Sequence, residues 1–242
     1  MILGILQARN SSSRLPGKVM LPVLGEPMLS RQIERLRRCK SIDQLILATS
    51  VESMDDTLED LAEKLGIACS RGSLNDVLDR FYKAAKPYNP DHVVRLTGDC
   101  PLSDPEIIDA CIQYHVKEGN DYTSNIHPPT YPDGLDVEVI NFKTLETAWQ
   151  DADSAMEREH VTMSIYKYPS KFHIGNLGND TDHSDLRWTV DEPEDYEFVS
   201  QVYEALYPEN PAFNYNDVLA LLDEQPALKR LNSHHQRNAG LK

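Results

Sequence analysis

The chain of 242 residues lacks several features that mark specialised classes of protein. Its four cysteines include no Cys-x-x-Cys pair, so neither a zinc ribbon nor a redox dithiol is indicated, and we expect buried free thiols. No apolar run approaches the roughly 18 residues that a membrane-spanning helix needs. The 11 glycines and 15 prolines are scattered along the chain, which excludes a low-complexity linker. These absences leave an ordinary folded protein.

The first ten residues, MILGILQARN, contain an apolar stretch without a basic region before it or a small-residue cleavage site after it. We therefore interpret the stretch as a buried strand and not as a secretion signal. The composition, 40% hydrophobic and 26% charged, is typical of a globular domain. We expect a cytoplasmic protein without a membrane partner.

Positive charge is scarce, because 24 lysines and arginines stand against 39 aspartates and glutamates, for a net charge of −15. An acidic protein binds nucleic acid poorly, so we expect no nucleic-acid partner. Residues 1–40 are the exception, with eight Lys/Arg and two Asp/Glu. Part of this excess belongs to a helix face, but Arg9, Arg14 and Lys18 lie in a predicted loop and indicate a local anion site.

Apolar runs of strand length alternate with amphipathic segments of helical spacing over the first half of the chain. The predicted strands are 2–8, 44–49, 67–69 and 92–96, and the predicted helices are 28–39, 55–65, 75–85 and 105–116. This alternation predicts βαβ units and a parallel sheet. Such sheets bind ligands at the carboxyl ends of their strands.

Residues 121–177 break this rhythm, with predicted strands at 121–125 and 135–140 and predicted helices at 142–152 and 157–166. A strand at 186–190 and a helix at 192–206 follow. We therefore predict an α/β fold, a mostly parallel sheet flanked by helices, with an inserted α+β segment at 121–177. One domain would span residues 1–231, and residues 232–242 would form a flexible polar tail.

The segment Gln7–Lys18, QARNSSSRLPGK, lies between a predicted strand and a predicted helix, where α/β sheets bind phosphates. It matches neither Gly-x-Gly-x-x-Gly nor the Walker A pattern, because Val19 follows Gly17-Lys18 and position 12 is not glycine. Its three cations and three serine hydroxyls suit a polyanion. An accidental polar loop is the alternative.

Two further motifs place a carboxylate after a predicted strand. Asp99 lies in RLTGDCPL, and Asp191 lies in RWTVDEPED, just before a helix opened by Pro193. Mg²⁺ binds one or two carboxylates together with substrate phosphates, so both aspartates are candidate ligands. Helix N-capping is the alternative. Asp104 fits that role better than Asp99, whereas for Asp191 the two roles stay open.

Together these three motifs resemble the cytidylyltransferases that make CMP-activated acidic sugars, a family that includes the CMP-sialate and CMP-Kdo synthetases. The segments RGSLNDVLDRF, TYPDGLDVEV and EREHVT are similar to the branch of spore-coat polysaccharide biosynthesis protein F. The resemblance runs from about Met1 to Tyr207. It implies a Rossmann-like, GT-A-like nucleotidyltransferase fold.

The resemblance also implies transfer of CMP from CTP to a sugar hydroxyl, with release of pyrophosphate and with Mg²⁺ as the cofactor. It gives catalytic roles to Arg14, Lys18, Asp99 and Asp191, with both aspartates on the metal. Ser50 departs from the family, whose sialate and Kdo members usually carry aspartate there. The nucleotide-binding residues that the resemblance implies are Gln7, Ala8, Arg9, Ser11, Arg14, Lys18, Ser50, Arg71, Gly72 and Asp99.

By the same resemblance, the acceptor would be an acidic sugar or a related molecule, and residues 121–177 would contribute to a homodimer. Two alternatives stay open. One is a sugar-1-phosphate nucleotidyltransferase that uses another nucleoside triphosphate, and the other is a nucleotide- or sugar-binding homologue without turnover. The residues implied on the acceptor side are Tyr131, Asp133, Asp136, Glu138, Arg158 and His160.

Overall fold

A seven-stranded sheet runs through residues 1–237, the part of the chain that the computed structural model describes. In the strand order given at the end of this paragraph, the first four strands are parallel to one another. The fifth strand is antiparallel to both of its neighbours, and the seventh strand is parallel to the sixth. A small antiparallel pair, β2 (Pro22–Val23) and β3 (Glu26–Pro27), lies outside this sheet. Side by side, the strands are β5 (Ala68–Gly72), β4 (Gln44–Ser50), β1 (Ile2–Gln7), β6 (His92–Thr97), β8 (Glu138–Asn141), β7 (Tyr122–Ser124) and β9 (Ile174–Asn176).

Helices cover both faces of the sheet. Successive side chains of a strand point to opposite faces, and since β1 carries buried apolar residues on both, both faces must be covered. In β1, Leu6 belongs to one apolar layer, and Leu3 and Ile5 belong to the other. The first layer is covered by α1 (Met28–Leu36), α2 (Asp56–Leu65), α4 (Pro105–Glu118), α8 (Pro193–Leu206), α9 (Tyr215–Glu224) and α10 (Pro226–Arg230). The second is covered by α3 (Val77–Ala85), α5 (Phe142–Asp151) and α7 (Met163–Tyr166), with the short α6 (Ala155–Glu159) beside α3.

The predicted fold class is confirmed, and the strands and helices of the first half lie close to their expected bounds. Asp104 caps α4 as expected, because its carboxylate accepts hydrogen bonds from the backbone N–H groups of Glu106 and Ile107. The helix expected at 157–166 is divided at His160 into α6 and α7. Sequence patterns do not predict β9, α9 or α10.

The prediction of a strand at 186–190 is wrong. Arg187 forms a single bridge with Asp133, and the neighbouring backbone groups bond to two different segments. The N–H of Trp188 donates to the carbonyl of Asp133 at 2.6 Å, whereas the N–H of Val190 donates to the carbonyl of Asp99 at 2.8 Å. The segment thus joins the inserted region to the end of β6 without pairing along either.

The chain after α10 packs on the domain. Asn232 is 2% exposed, and its amide donates to the carbonyl of Arg187 and to the carboxylate of Asp195, both at 2.9 Å. Arg237 donates to Asp136 at 2.6 Å. Residues 232–237 of the predicted polar tail therefore contact the domain, and residues 238–242 lie outside the described residues.

Within residues 1–237, no helix combines the length and the apolar character that crossing a membrane requires. The four cysteines are free, as expected. Cys100 and Cys111 are buried, whereas Cys39 and Cys69 are only half-buried.

Candidate active site

A polar cleft of about 500 Å³ opens at the carboxyl ends of β1 and β6. Its floor depends on Gly98, because a Cβ atom there would lie 2.8 Å from the Cβ atom of Ala8. Because Gly98 has no side chain, the backbone can turn towards the cleft at this residue without a clash. The lining residues are Gln7, Ala8, Arg9, Ser12, Ser13, Arg14, Lys18, Val19, Arg95, Thr97, Gly98, Asp99 and Asp191.

The loop after β1 is folded around Asn10. The carbonyl of Asn10 accepts hydrogen bonds from the N–H groups of Ser12 and Gly17, both at 2.9 Å, and Gly17 has a φ of 69° that favours glycine. The N–H of Asn10 donates to the buried carboxylate of Asp55 at 2.7 Å. This loop ends in the 3₁₀ helix Lys18–Met20, which places Lys18 in the cleft.

Lys18 is the central cation of the cleft. Its ammonium lies 3.1 Å from Asp99, 2.8 Å from Asp191 and 2.7 Å from the carbonyl of Val190, and the side chain is 9% exposed. Burial opposes the charge of Lys18, but the two carboxylates outweigh it and raise the pKa of Lys18. Burial likewise opposes ionisation of Asp99, but Lys18 and the Thr97 hydroxyl lower the pKa of Asp99 to about 2. Lys18 and Asp99 are therefore both charged at neutral pH.

Asp191 holds two further cations and does not cap α8. Its second carboxylate oxygen lies 2.8 Å from Arg14 and 3.3 Å from Arg187. The N-cap of α8 is Glu192, whose N–H and that of Asp191 donate to the carboxylate of Asp195. The capping alternative for Asp191 is therefore excluded, and its carboxylate is left to face the cleft.

The donor set fits a divalent cation. Asp99 and Asp191 reach the same ammonium from two sides, so both carboxylates converge on one position of positive charge. The second oxygen of Asp99 lies 3.5 Å from the thiol of Cys100. Mg²⁺ needs oxygen ligands at about 2.1 Å and commonly takes one or two carboxylates, with phosphates supplying others.

The structure brings most of the expected nucleotide residues to the cleft but not all of them. Ser12 and Ser13 line it, whereas the hydroxyl of Ser11 is buried and has no hydrogen-bond partner within the described chain. Arg95 and Thr97 also line the cleft, although the sequence motif around them points only to Asp99. Their positions on β6, four and two residues before the aspartate, are the signal that could have identified them.

Ser50, Arg71 and Gly72 lie behind the loop and do not line the cleft. The hydroxyl of Ser50 donates to Asp55, which already holds Asn10. Arg71 pairs with exposed carboxylates of α2 and bonds to the carbonyl of Ser50 at 2.9 Å. The structure therefore places Ser50 where it supports the loop through Asp55, and Arg71 behind Ser50.

A second cleft, of about 330 Å³, adjoins the first and shares Arg95 and Thr97 with it. We refer to it as the acceptor cleft, a label taken from the acceptor-side residues that the sequence resemblance implies. Of the residues expected on the acceptor side, Asp136, Glu138 and His160 line it. The remaining lining residues are Ile126, His127, Pro129, Thr162, Tyr166 and Arg237.

Three residues expected on the acceptor side lie elsewhere. Asp133 pairs with Arg187 at 3.1 Å, Tyr131 packs against the ring of Tyr215, and Arg158 donates to the carbonyl of Ala152. None of the three lines the acceptor cleft in the described part of the chain.

The two carboxylates of the acceptor cleft differ in charge. Burial opposes ionisation of Glu138, but its ion pair with Arg95 and a hydrogen bond from the Tyr122 hydroxyl at 2.6 Å lower the pKa of Glu138. Burial raises the pKa of Asp136 to about 7, and Arg237 offsets only part of this effect. Glu138 is thus a fixed anion, and Asp136 titrates near neutrality.

A mostly parallel sheet with a cationic loop and convergent carboxylates at its carboxyl edge defines a nucleotidyltransferase. The model of the family described as cytidylyltransferase matches residues 3–232, and the chain belongs to this family. Its activity class is CTP-dependent nucleotidyl transfer. Cytidylyltransferases commonly use a divalent metal ion.

Individual relatives agree with this result. The chain is 36% identical over 232 residues to the spore coat polysaccharide biosynthesis protein SpsF of Bacillus subtilis, covering 93% of this chain and 95% of the relative. A solved cytidylyltransferase from Leptospira borgpetersenii has a TM-score of 0.90 at 32% identity, covering 95% of this chain and 96% of that one. CMP:2-keto-3-deoxy-manno-octonic acid synthetase, solved with CTP, has a TM-score of 0.64 at 16% identity over 84% of this chain and 98% of its own, a likeness of fold.

Replacing Lys18 by methionine tests the charge balance of the cleft. Without the ammonium, the pKa of Asp99 should rise above its ordinary value of 3.8. In the wild type, ionised Asp99 stabilises the fold above pH about 4, and this contribution is lost as the pH falls towards 2. The loss of unfolding free energy in Lys18→Met should therefore be largest near neutral pH and shrink in acid.

Urea denaturation across this pH range in metal-free buffer measures the difference, and carboxyl NMR titration measures the pKa. Lys83→Met is the matched control, because Lys83 is 65% exposed and pairs with Asp79 on the surface of α3. A stability loss in Lys18→Met that does not change with pH would contradict the charge balance.

Proposed function

We propose that the protein transfers CMP from CTP to a hydroxyl group of an acidic sugar or a related acceptor, with release of pyrophosphate and with Mg²⁺ as the cofactor. The observation that carries this proposal is the junction of two clefts at Arg95 and Thr97. One cleft has the cations and carboxylates that suit a triphosphate and a metal. The other is an adjoining polar space in which an acceptor would face the reacting phosphate.

The loop cations support triphosphate binding. Arg9, Arg14 and Lys18 all line the first cleft. A cation about 4 Å from a phosphate charge gains roughly 4 kcal/mol at an effective dielectric constant of 20. Arg14 is partly exposed, and its ion pairs with Asp191 and Glu192 leave it able to turn towards a ligand. Such residues would position the triphosphate and neutralise its charge, which is most of what nucleotidyl transfer requires of a protein.

Asp99 and Asp191 would hold the Mg²⁺ ion together with phosphate oxygens. The ion would supply charge neutralisation and polarisation at the phosphates. Lys18 lowers the pKa of Asp99 before any ligand binds, and this carboxylate is therefore ionised at neutral pH although it is largely buried. The ammonium of Lys18 also contacts Asp191, so it holds both carboxylates in place.

The two alternatives differ from this proposal in measurable ways. A nucleotidyltransferase with another substrate would bind ATP, GTP or UTP as well as CTP. A binding homologue would hold CTP without releasing pyrophosphate. Membership of the cytidylyltransferase family favours CTP and turnover.

CTP with Mg²⁺ should raise the melting temperature, because a ligand that binds only the folded state stabilises it. At CTP about a hundredfold above its dissociation constant the gain is about 2.7 kcal/mol, which for a chain of this size is a shift of about 5–10 °C. The shift should fall sharply in Lys18→Ala and Arg14→Ala, but not in Lys83→Ala. Differential scanning fluorimetry with each of the four nucleotides measures it, and equal shifts with ATP and GTP contradict the cytidine assignment.

Replacing Asp99 by asparagine keeps the shape of the site and removes an anionic ligand. Turnover should fall by on the order of 10²–10³, similar to the loss of one strong electrostatic contact at a transition state. Asp191→Asn should behave alike. The double variant should lose less than the product of the single losses, because both groups serve one ion.

Pyrophosphate release at varied Mg²⁺ concentration measures these losses, with thermal melts as the control for folding. Asp104→Asn is a control for the substitution itself, because Asp104 caps α4 outside the cleft. Full activity in either Asp99→Asn or Asp191→Asn would end the shared-metal proposal.

We also propose that the protein forms a homodimer through residues 121–177. Two large apolar side chains of this segment are exposed, Met156 at 57% and Tyr168 at 51%. Light scattering should give twice the chain mass of 27.4 kDa. Met156→Glu should weaken the association, whereas Val116→Glu, at an equally exposed apolar residue outside the segment, should not. A monomer at working concentration would refute the dimer.

A further inference from the structure

Arg237, from the end of the described chain, lies in the acceptor cleft. It belongs to neither the expected acceptor residues nor the family motifs. Its guanidinium donates to the carboxylate of Asp136 at 2.6 Å and to the carbonyl of Tyr131 at 3.2 Å, and it lies 3.9 Å from Asp133. The side chain is 17% exposed, so part of it faces the open space of the cleft.

The segment that carries Arg237 is anchored by Asn232. Both hydrogen bonds of the Asn232 amide go to the region that forms the first cleft, one to the carbonyl of Arg187 and one to Asp195. Asp195 in turn accepts the N–H of Asp191. The segment that carries Arg237 is thus anchored, at Asn232, to the same part of the chain that carries Asp191.

The other cations near the acceptor cleft are committed to carboxylates. Arg95 pairs with Glu138, which also accepts from Tyr122, so both charges are balanced. Arg187 contacts the carboxylates of Asp133, Asp191 and Asp195. Neither cation can turn to a ligand without leaving a buried anion unpaired.

Arg237 differs because its partner loses its charge easily. Asp136 faces the carboxylates of Asp133 and Glu138 and the single cation of Arg237, and the imidazoles of His127 and His160 line the same cleft. Its pKa is about 7, so a large fraction of Asp136 is protonated at neutral pH. In that state Arg237 keeps the longer contact with the Asp133 carboxylate, at 3.9 Å, and its positive charge becomes available to the cleft.

We propose that Arg237 binds the anionic group of the acceptor, a carboxylate or a phosphate, and that the C-terminal segment 231–237 is therefore part of the acceptor site. This inference rests on the proposed transfer to an acceptor in the same cleft. The planar guanidinium offers paired N–H donors that match the oxygens of either group. Protonated Asp136 can donate a hydrogen bond to the same anion, whereas ionised Asp136 competes with it.

The test compares Arg237→Gln with Lys229→Gln, which removes a charge from α10 at a surface ion pair with Asp185. The probes are 3-deoxy-manno-octulosonate as a sugar carboxylate, glucose 1-phosphate as a sugar phosphate, and glucose as a neutral sugar, each with CTP and Mg²⁺. In Arg237→Gln the KM of the anionic probe should rise about tenfold to a hundredfold, as for a lost charged hydrogen bond. The KM of CTP should stay within about twofold of the wild-type value, since Arg237 does not line the first cleft.

A second variant gives the opposite sign. Asp136→Asn removes the competing carboxylate, so the KM of the anionic probe should fall or stay constant. In the wild type this KM should rise as the pH increases above 7, because Asp136 ionises, and the rise should be absent in Asp136→Asn. Arg237→Lys should restore part of the affinity, since lysine supplies charge without the paired donors.

Each outcome bears on one claim. An unchanged KM for the anionic probes in Arg237→Gln overturns the assignment, and so does an equal rise for glucose. A wild type that uses glucose alone, or that binds CTP but uses neither anionic probe, overturns it as well. If CTP with Mg²⁺ does not raise the melting temperature of the wild type, this result contradicts the proposed function and not the role of Arg237. A preference for the carboxylate or for the phosphate identifies the class of acceptor.

Discussion

The contact of one ammonium with two carboxylates organises the carboxyl edge of this sheet. Lys18 comes from the loop after β1, Asp99 from the end of β6, and Asp191 from the segment before α8. Without the cation the two aspartates would repel each other in a place that water reaches poorly. Because Asp191 also contacts Arg14 and Arg187, the charge of this edge is balanced by shared contacts and not by separate pairs.

Sequence reasoning predicts the elements of this contact because each charged residue follows a buried strand or opens a helix. It does not decide the role of Asp191, since a capping aspartate and a cleft aspartate have the same surroundings in the sequence. The structure decides it because the N-cap of α8 is Glu192, and Asp195 completes its capping box by accepting the backbone N–H of Glu192. The helix end is thus capped without Asp191, whose carboxylate faces the cleft.

Three other expectations differ from the structure for reasons of the same kind. The alternation of Leu186, Trp188 and Val190 resembles a strand, but it reports burial, and the backbone bonds to two separate segments. Ser50 lies at the end of β4, at the expected edge of the sheet, but its hydroxyl donates a hydrogen bond to Asp55. Composition likewise suggests a polar tail after α10, whereas the single amide of Asn232 fixes the chain there. Pattern in the sequence gives burial and strand ends, but not the partner of each polar atom.

The contacts of Lys18 also bear on how the protein folds. They join residues 81 and 173 positions apart in the chain. Because the entropy of closing a loop grows only with the logarithm of its length, such distant pairing takes little from the final stability. It does slow folding, since distant segments must meet before the charges are neutralised. A chain still being synthesised therefore has the loop cations long before it has the carboxylate of Asp191 that contacts them.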